Sequence, residues 1–237
     1  AQIERQLVQL VPVANSGVER PPVNARLNAD RFTPVLAKRL RFTILATNNL
    51  EPCVDELEVF NTEGINVALA SAGTKASSTG DTTVADRHEL RFVNDGQYGN
   101  SRSWMSNENG KGQLELEFPQ VQTIDRVVWG RDRQRVYFDR LAVDYRIEVA
   151  DESGEWRTVA DATDRVKFVP EEASAFPITK GLNEADAKEA NRLQAEMNSL
   201  KQQVAETSVG QIAFAGAFRD PDVIRLLLRG DPEQPKE

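Results

Sequence analysis

From residue 39 onward, apolar side chains recur at every second position, and near residue 180 that spacing lengthens to three and four. Leu40, Phe42 and Ile44 share one face of a run whose other face carries Arg41 and Thr43. That is the period of a strand with one side buried. Asn48, Asn49 and Pro52 form a turn, and residues 54–60 are a second β-rich run. Further strands are predicted at residues 114–118, 124–129 and 143–149. In the last, Tyr145, Ile147 and Val149 alternate with Asp144, Arg146 and Glu148. Residues 155–159 and 166–169 are shorter candidates. Many short strands separated by Gly, Asn, Asp and Ser predict an antiparallel sandwich.

The longer spacing begins after Asn183, a helix-capping residue type, with Asp186 in the first turn. Ala190, Leu193, Met197, Leu200 and Val204 then mark a helix with a narrow apolar stripe. The stripe can pack on its own sandwich, on a neighbouring domain or on a second copy. It covers fewer turns than the roughly three to four heptads of a coiled coil. Residues 1–30 have no clear rhythm. Leu7, Leu10 and Val11 fit a short helix or strand, and Pro21-Pro22 breaks any element there. The expected organisation is an N-terminal linker or extension over 1–30 and a β-sandwich over 31–172. A linker with an amphipathic helix follows over 173–210. An extended tail over 211–237 includes apolar runs at 212–218 and 223–228.

Composition narrows the function classes. The chain has 237 residues and a formal net charge of −8. Its Lys and Arg residues are scattered among acids, which argues against nucleic acid as a partner. No apolar run approaches the roughly 20 residues of a membrane-spanning helix. One cysteine, Cys53, and one histidine, His88, rule out an internal disulfide and leave the usual zinc sites and nucleophilic triads without parts. Cys53 reads as a buried small hydrophobe and His88 as a surface residue. The first residues are no signal peptide. The Pro-rich end looks cut from a longer chain, so an export signal is expected to lie outside it.

The loop 94–100, Asn-Asp-Gly-Gln-Tyr-Gly-Asn, brings a carboxylate, amide oxygens and two glycines together. It reads either as an oxygen-rich calcium loop or as a plain Asp-Gly turn. Arg131 and Arg133 follow Trp129 at a strand end. They can stack on and hydrogen-bond a sugar or peptide, or make surface ion pairs. Asp55, Glu56 and Glu58, like Glu115 and Glu117, could serve glycoside hydrolysis in pairs. On alternating strands they read as the wet face. Arg229-Gly230-Asp231 is a short integrin-type motif with a high chance rate.

Together these stretches resemble a discoidin domain, the coagulation factor V/VIII C-type module. Residues 66–73 are similar to its opening strand, Val93 to Gly96 to its Asp-Gly loop, and Ser103-Trp104 to the tryptophan after it. Residues 112–118, 124–129, 145–149 and 151–156 are similar to its central strands and a hairpin. The resemblance implies a mostly β, galactose-binding-like jelly roll without catalysis, here with an appended C-terminal helix. It implies carbohydrate as ligand, met by loop residues Tyr98, Trp104, Arg131 and Arg133. It also implies a structural calcium at Glu56, Asp95 and Asn100. The stretch 39–60 resembles the family's closing strands yet stands first, which implies circular permutation, or else the end of a preceding copy. The whole chain also resembles part of the large planctomycete-type cytochrome c proteins, although no haem motif occurs here. That implies a periplasmic or extracellular location. The expected function is a non-catalytic binding module of a larger extracytoplasmic protein. The alternative is a structural spacer, or a protein–protein interaction domain, that docks neighbouring domains through the helix.

Overall fold

A computed structural model describes residues 2–134, 136–170 and 182–208. Residues through Met197 form one compact unit, and those from Asn198 a second. The predicted runs at 212–218 and 223–228 and the tripeptide Arg229-Gly230-Asp231 lie outside the described residues.

The fold is mostly β. Helix α1 (Gln2–Leu10) precedes β1 (Asn28–Thr47), β2 (Cys53–Val54), β3 (Glu56–Asn61), β4 (Lys75–Ser78) and β5 (Trp104–Met105). Then come β6 (Gly112–Gly130), β7 (Ala142–Ala150), β8 (Trp156–Asp161) and helix α2 (Glu184–Ser208). The main sheet runs β3-β6-β1-β7-β8, with β4 also on β6; β2 and β5 make a small second sheet. Every strand pair is antiparallel. This arrangement is consistent with a β-sandwich.

The two strands predicted at 114–118 and 124–129 are one strand, β6. It is interrupted rather than ended at Pro119, where the register with β1 shifts between Ala37 and Arg39. Pro34 falls in the other shift, between Arg31 and Val35. A proline has no N–H for the ladder, so bulges are where it fits. Lys38 caps the irregular stretch, its Nζ donating to the carbonyls of Phe118 (2.6 Å) and Pro119 (3.0 Å). Residues 166–169 form no strand, and 66–73 hold only a bridge and a short 3-10 turn. Both expectations are corrected.

The inward positions follow the predicted alternation. Leu40, Phe42, Ile44, Tyr145, Ile147 and Val149 are buried. Phe42, Trp129 and Tyr145 meet with ring centroids 5.2–5.4 Å apart. Strands β1 and β3 lie in the same sheet as β6 and β7, so residues 28–61 are built into the one core.

Residues 20–30 are all buried, and Asp30 is the hub that holds them. Its Oδ1 accepts from Arg20, Arg165 and the Tyr145 hydroxyl, and its Oδ2 from Trp129 Nε1 at 2.9 Å. Arg20 also reaches Asp164 and the Asp161 carbonyl. The chain start is thereby tied to the turn after β8. Helix α1 lies over the outer face of the sheet, with Val8 and Val11 against Leu27, Ala29 and Val128. Its Leu7 meets Ala190 and Leu193 of α2. Asn183 caps α2 as expected, its Oδ1 accepting the Asp186 N–H at 2.9 Å. The stripe is buried only through Met197; Leu200 and Val204 are exposed.

Candidate functional site

The site grows from one consequence of α1. On β3, Leu57 and Val59 point into the core, so Glu56, Glu58 and Phe60 point outward. Alternation alone makes that face wet. Helix α1 and the loop 94–100 cover it instead, and Asp55, Glu56 and Glu58 are all buried. The wet-face reading of these acids is corrected. Glu115 keeps it, half-buried on β6 and paired with Arg39 and Arg41.

Two turns converge on these acids. In the first, Gly96 takes a left-handed backbone (φ 80°), which glycine adopts without strain. Its N–H donates to Glu56 Oε1 at 2.9 Å. In the second, Gly130 ends β6 where an added Cβ would lie 2.4 Å from the Arg26 carbonyl oxygen. Asp132 then gathers the N–H groups of Gln134, Val136 and Tyr137. This turn delivers the Arg133 N–H to Asp55 Oδ2 at 2.7 Å, beside the Gly99 N–H at 3.1 Å.

The acids differ in what neutralises them. Glu58 is paired with Arg133 and accepts the Tyr98 hydroxyl at 3.0 Å. Burial pushes the Asp55 carboxyl up to about 6, against the pull of Arg133 and Gly99. Burial also pushes Glu56 up to about 9, and the nearby charges of Asp95, Glu58 and Asp55 add to it. Glu56 Oε2 and Asp55 Oδ1 are buried without a hydrogen-bond partner. Such atoms carry a desolvation cost that a cation or a proton relieves.

The predicted calcium set fits only in part. Glu56 suits a cation: it is a buried, hard oxygen ligand with one oxygen unspent. Asp95 stands next to it, but both its oxygens are engaged, by Arg102 and by the Gln97 N–H. Asn100 Oδ1 accepts from Arg131 Nη1 at 2.7 Å, so that amide is committed to an arginine. Among the described residues, no group of three or more His, Cys, Asp and Glu is arranged to hold a metal.

The predicted ligand residues divide. Trp104 is fully buried, its Nε1 donating to Asp81 at 2.6 Å. No ring face is left for a sugar. Arg131 is 2% exposed and spent on Asn100 and Asp139. Tyr98 and Arg133 do stand together, the Arg133 guanidinium 4.1 Å from the ring centroid. Tyr98 is 41% exposed. Both line a cleft of about 720 Å³. Glu4, Arg5, Val8 and Gln9 of α1 line it too, with Phe60, Arg126 and Val128 of the sheet. Alternation misses Phe60 and Arg126, which are directly opposed across β3 and β6. Their signal was Phe60 and Val128 at nominally wet positions.

His88 is buried rather than on the surface, its Nδ1 2.8 Å from Ser103 Oγ. Cys53 is buried as expected, and its thiol donates to the same oxygen at 3.3 Å. Burial pushes that thiol up, away from nucleophilic use. No family profile, no curated protein and no solved structure matches the chain.

Proposed function

We propose that the chain is a non-catalytic, carbohydrate-binding module of a larger extracytoplasmic protein, built on a discoidin-like jelly roll. The observation that carries this reading is the pairing of Tyr98 and Arg133 in one cleft, the ring 41% exposed. Sugars present flat C–H faces to rings and hydroxyls to charged groups. A half-open tyrosine between Arg133 and Glu58 offers both, and a concave, partly apolar site with few polar anchors is where small ligands bind. Asp55 and Glu56, the strongly shifted carboxyls, do not line this cleft, which favours a structural over a catalytic part for them. A structural calcium would be held through the unpartnered oxygen of Glu56, and Asp95 would join it by giving up Arg102 or the Gln97 N–H.

The test is calorimetric titration with oligosaccharides, galactose-type first. Native protein is expected to bind one class, and Tyr98→Ala to weaken it roughly tenfold or more, as loss of an aromatic anchor does. Failure of every glycan to bind, or an unaffected Tyr98→Ala, contradicts the reading.

A further inference from the structure

Arg126 lies on the outward side of β6 within the cleft lining. Its side chain is only 9% exposed. Among the described residues it donates no hydrogen bond, and its one ion-pair contact is Asp125, its chain neighbour, at a marginal 4.0 Å. Its guanidinium is 4.6 Å from the Phe60 ring centroid, directly across the strand pair.

Other arginines with buried side chains among the described residues are engaged by acids. Arg20 and Arg165 hold Asp30, and Arg131 holds Asn100 and Asp139. Arg133 holds Glu58. The nearby acids are spent as well: Glu58 on Arg133 and Tyr98, Glu4 on Arg26. Glu63 of the cleft lining and the neighbouring Asp125 remain, and neither accepts a hydrogen bond from Arg126. A guanidinium in a cleft lining with no protein hydrogen bond has its donors available to a ligand. Its planar fork matches a carboxylate through two parallel hydrogen bonds.

We propose that Arg126 is the anion-recognising group of the cleft, and that the saccharide it selects carries a carboxylate: a uronic acid rather than a neutral hexose. This rests on the carbohydrate reading above. The Phe60 ring packs against the guanidinium, and Tyr98 supplies the ring surface for the sugar body. Glu58, held by Arg133 and Tyr98, does not face the ligand as a free repelling charge.

The experiment is calorimetric titration of the whole chain with trigalacturonate, its methyl ester, neutral trigalactose and a sulfated galactose oligomer. One charge-assisted contact is worth roughly tenfold to a hundredfold in affinity. The acid is expected to bind tighter than its methyl ester by that factor, and Arg126→Met is expected to lose the difference. Arg126→Lys should keep part of it. Thermal unfolding checks that the variants fold, and the acid-against-ester comparison on native protein needs no variant at all. Equal binding of acid and ester, or an Arg126→Met that still prefers the acid, overturns the proposal. If neutral trigalactose binds meanwhile, the carbohydrate reading stands without it. Tightest binding by the sulfated oligomer overturns the carboxylate assignment in favour of a sulfate ester. If no saccharide binds, both readings fall together.

Discussion

Asp30 and Glu56 are both fully buried, on strands β1 and β3 of one sheet, and their surroundings differ in kind. Asp30 receives two arginines, a tyrosine hydroxyl and an indole N–H. Burial alone would raise its carboxyl, and Arg165 and Arg20 turn the shift downward. Glu56 receives one backbone N–H, sits among other acids and is pushed up to about 9. A buried charge with its partners supplied holds the chain together. A buried acid without them is a place where something else belongs. The first closes residues 20–30 onto the core, and the second marks the covered face next to the cleft.

The contrast can be broken most directly at Asp30. Asp30→Ala leaves Arg20 and Arg165 buried without their shared anion, and breaking a buried pair costs about 3–5 kcal/mol. Urea unfolding should show a loss of that size. A loss below about 1 kcal/mol would mean the cluster does not hold the N-terminal segment.

Glu56 should behave with the opposite sign. Its folded value of about 9 lies above the ordinary 4.5, so the folded state binds the proton more tightly. Without metal, this group's contribution therefore declines as pH rises from about 4.5 to about 9. Asp30, held low, stabilises above the ordinary 3.8 and loses that contribution as pH falls below it. Glu56→Gln should raise the melting temperature at pH 8 by about 5 °C or more in chelator, since a chain this size gains about 2–4 °C per kcal/mol. It should also flatten the decline above pH 5. An unchanged pH profile would remove Glu56 as the uncompensated acid.

A smaller effect sharpens the comparison. Asp55, at about 6 against an ordinary 3.8, still keeps two backbone N–H partners. Asp55→Asn should shift stability in the same sense as Glu56→Gln, over the narrower span from about 3.8 to about 6. A larger shift than that of Glu56→Gln in the same melts would reverse the ranking of the two.

The core was legible because period-two alternation depends on local sequence alone. Leu40, Phe42, Ile44, Tyr145, Ile147 and Val149 stand where that pattern puts them. The helix at Asn183 was legible from its cap and stripe. The covering of the outer face was not, because alternation cannot say whether another segment lies on top. That hid the burial of Asp55, Glu56 and Glu58 and the role of Arg126. The Asp30 hub was hidden for a different reason: Arg20 and Arg165 are far apart along the chain and each reads locally as a surface charge. Trp104 and Arg131 were misplaced because a loop residue's type does not say which way it faces.

The most direct measurement is thermal unfolding of native and Glu56→Gln protein near pH 7.5, with excess calcium and with chelator. Calcium bound only by the native state adds about 2.7 kcal/mol at a hundredfold excess over Kd. The account predicts that calcium raises the native melting temperature by several degrees and leaves Glu56→Gln unmoved. An equal response in both proteins, or none in either, would contradict it.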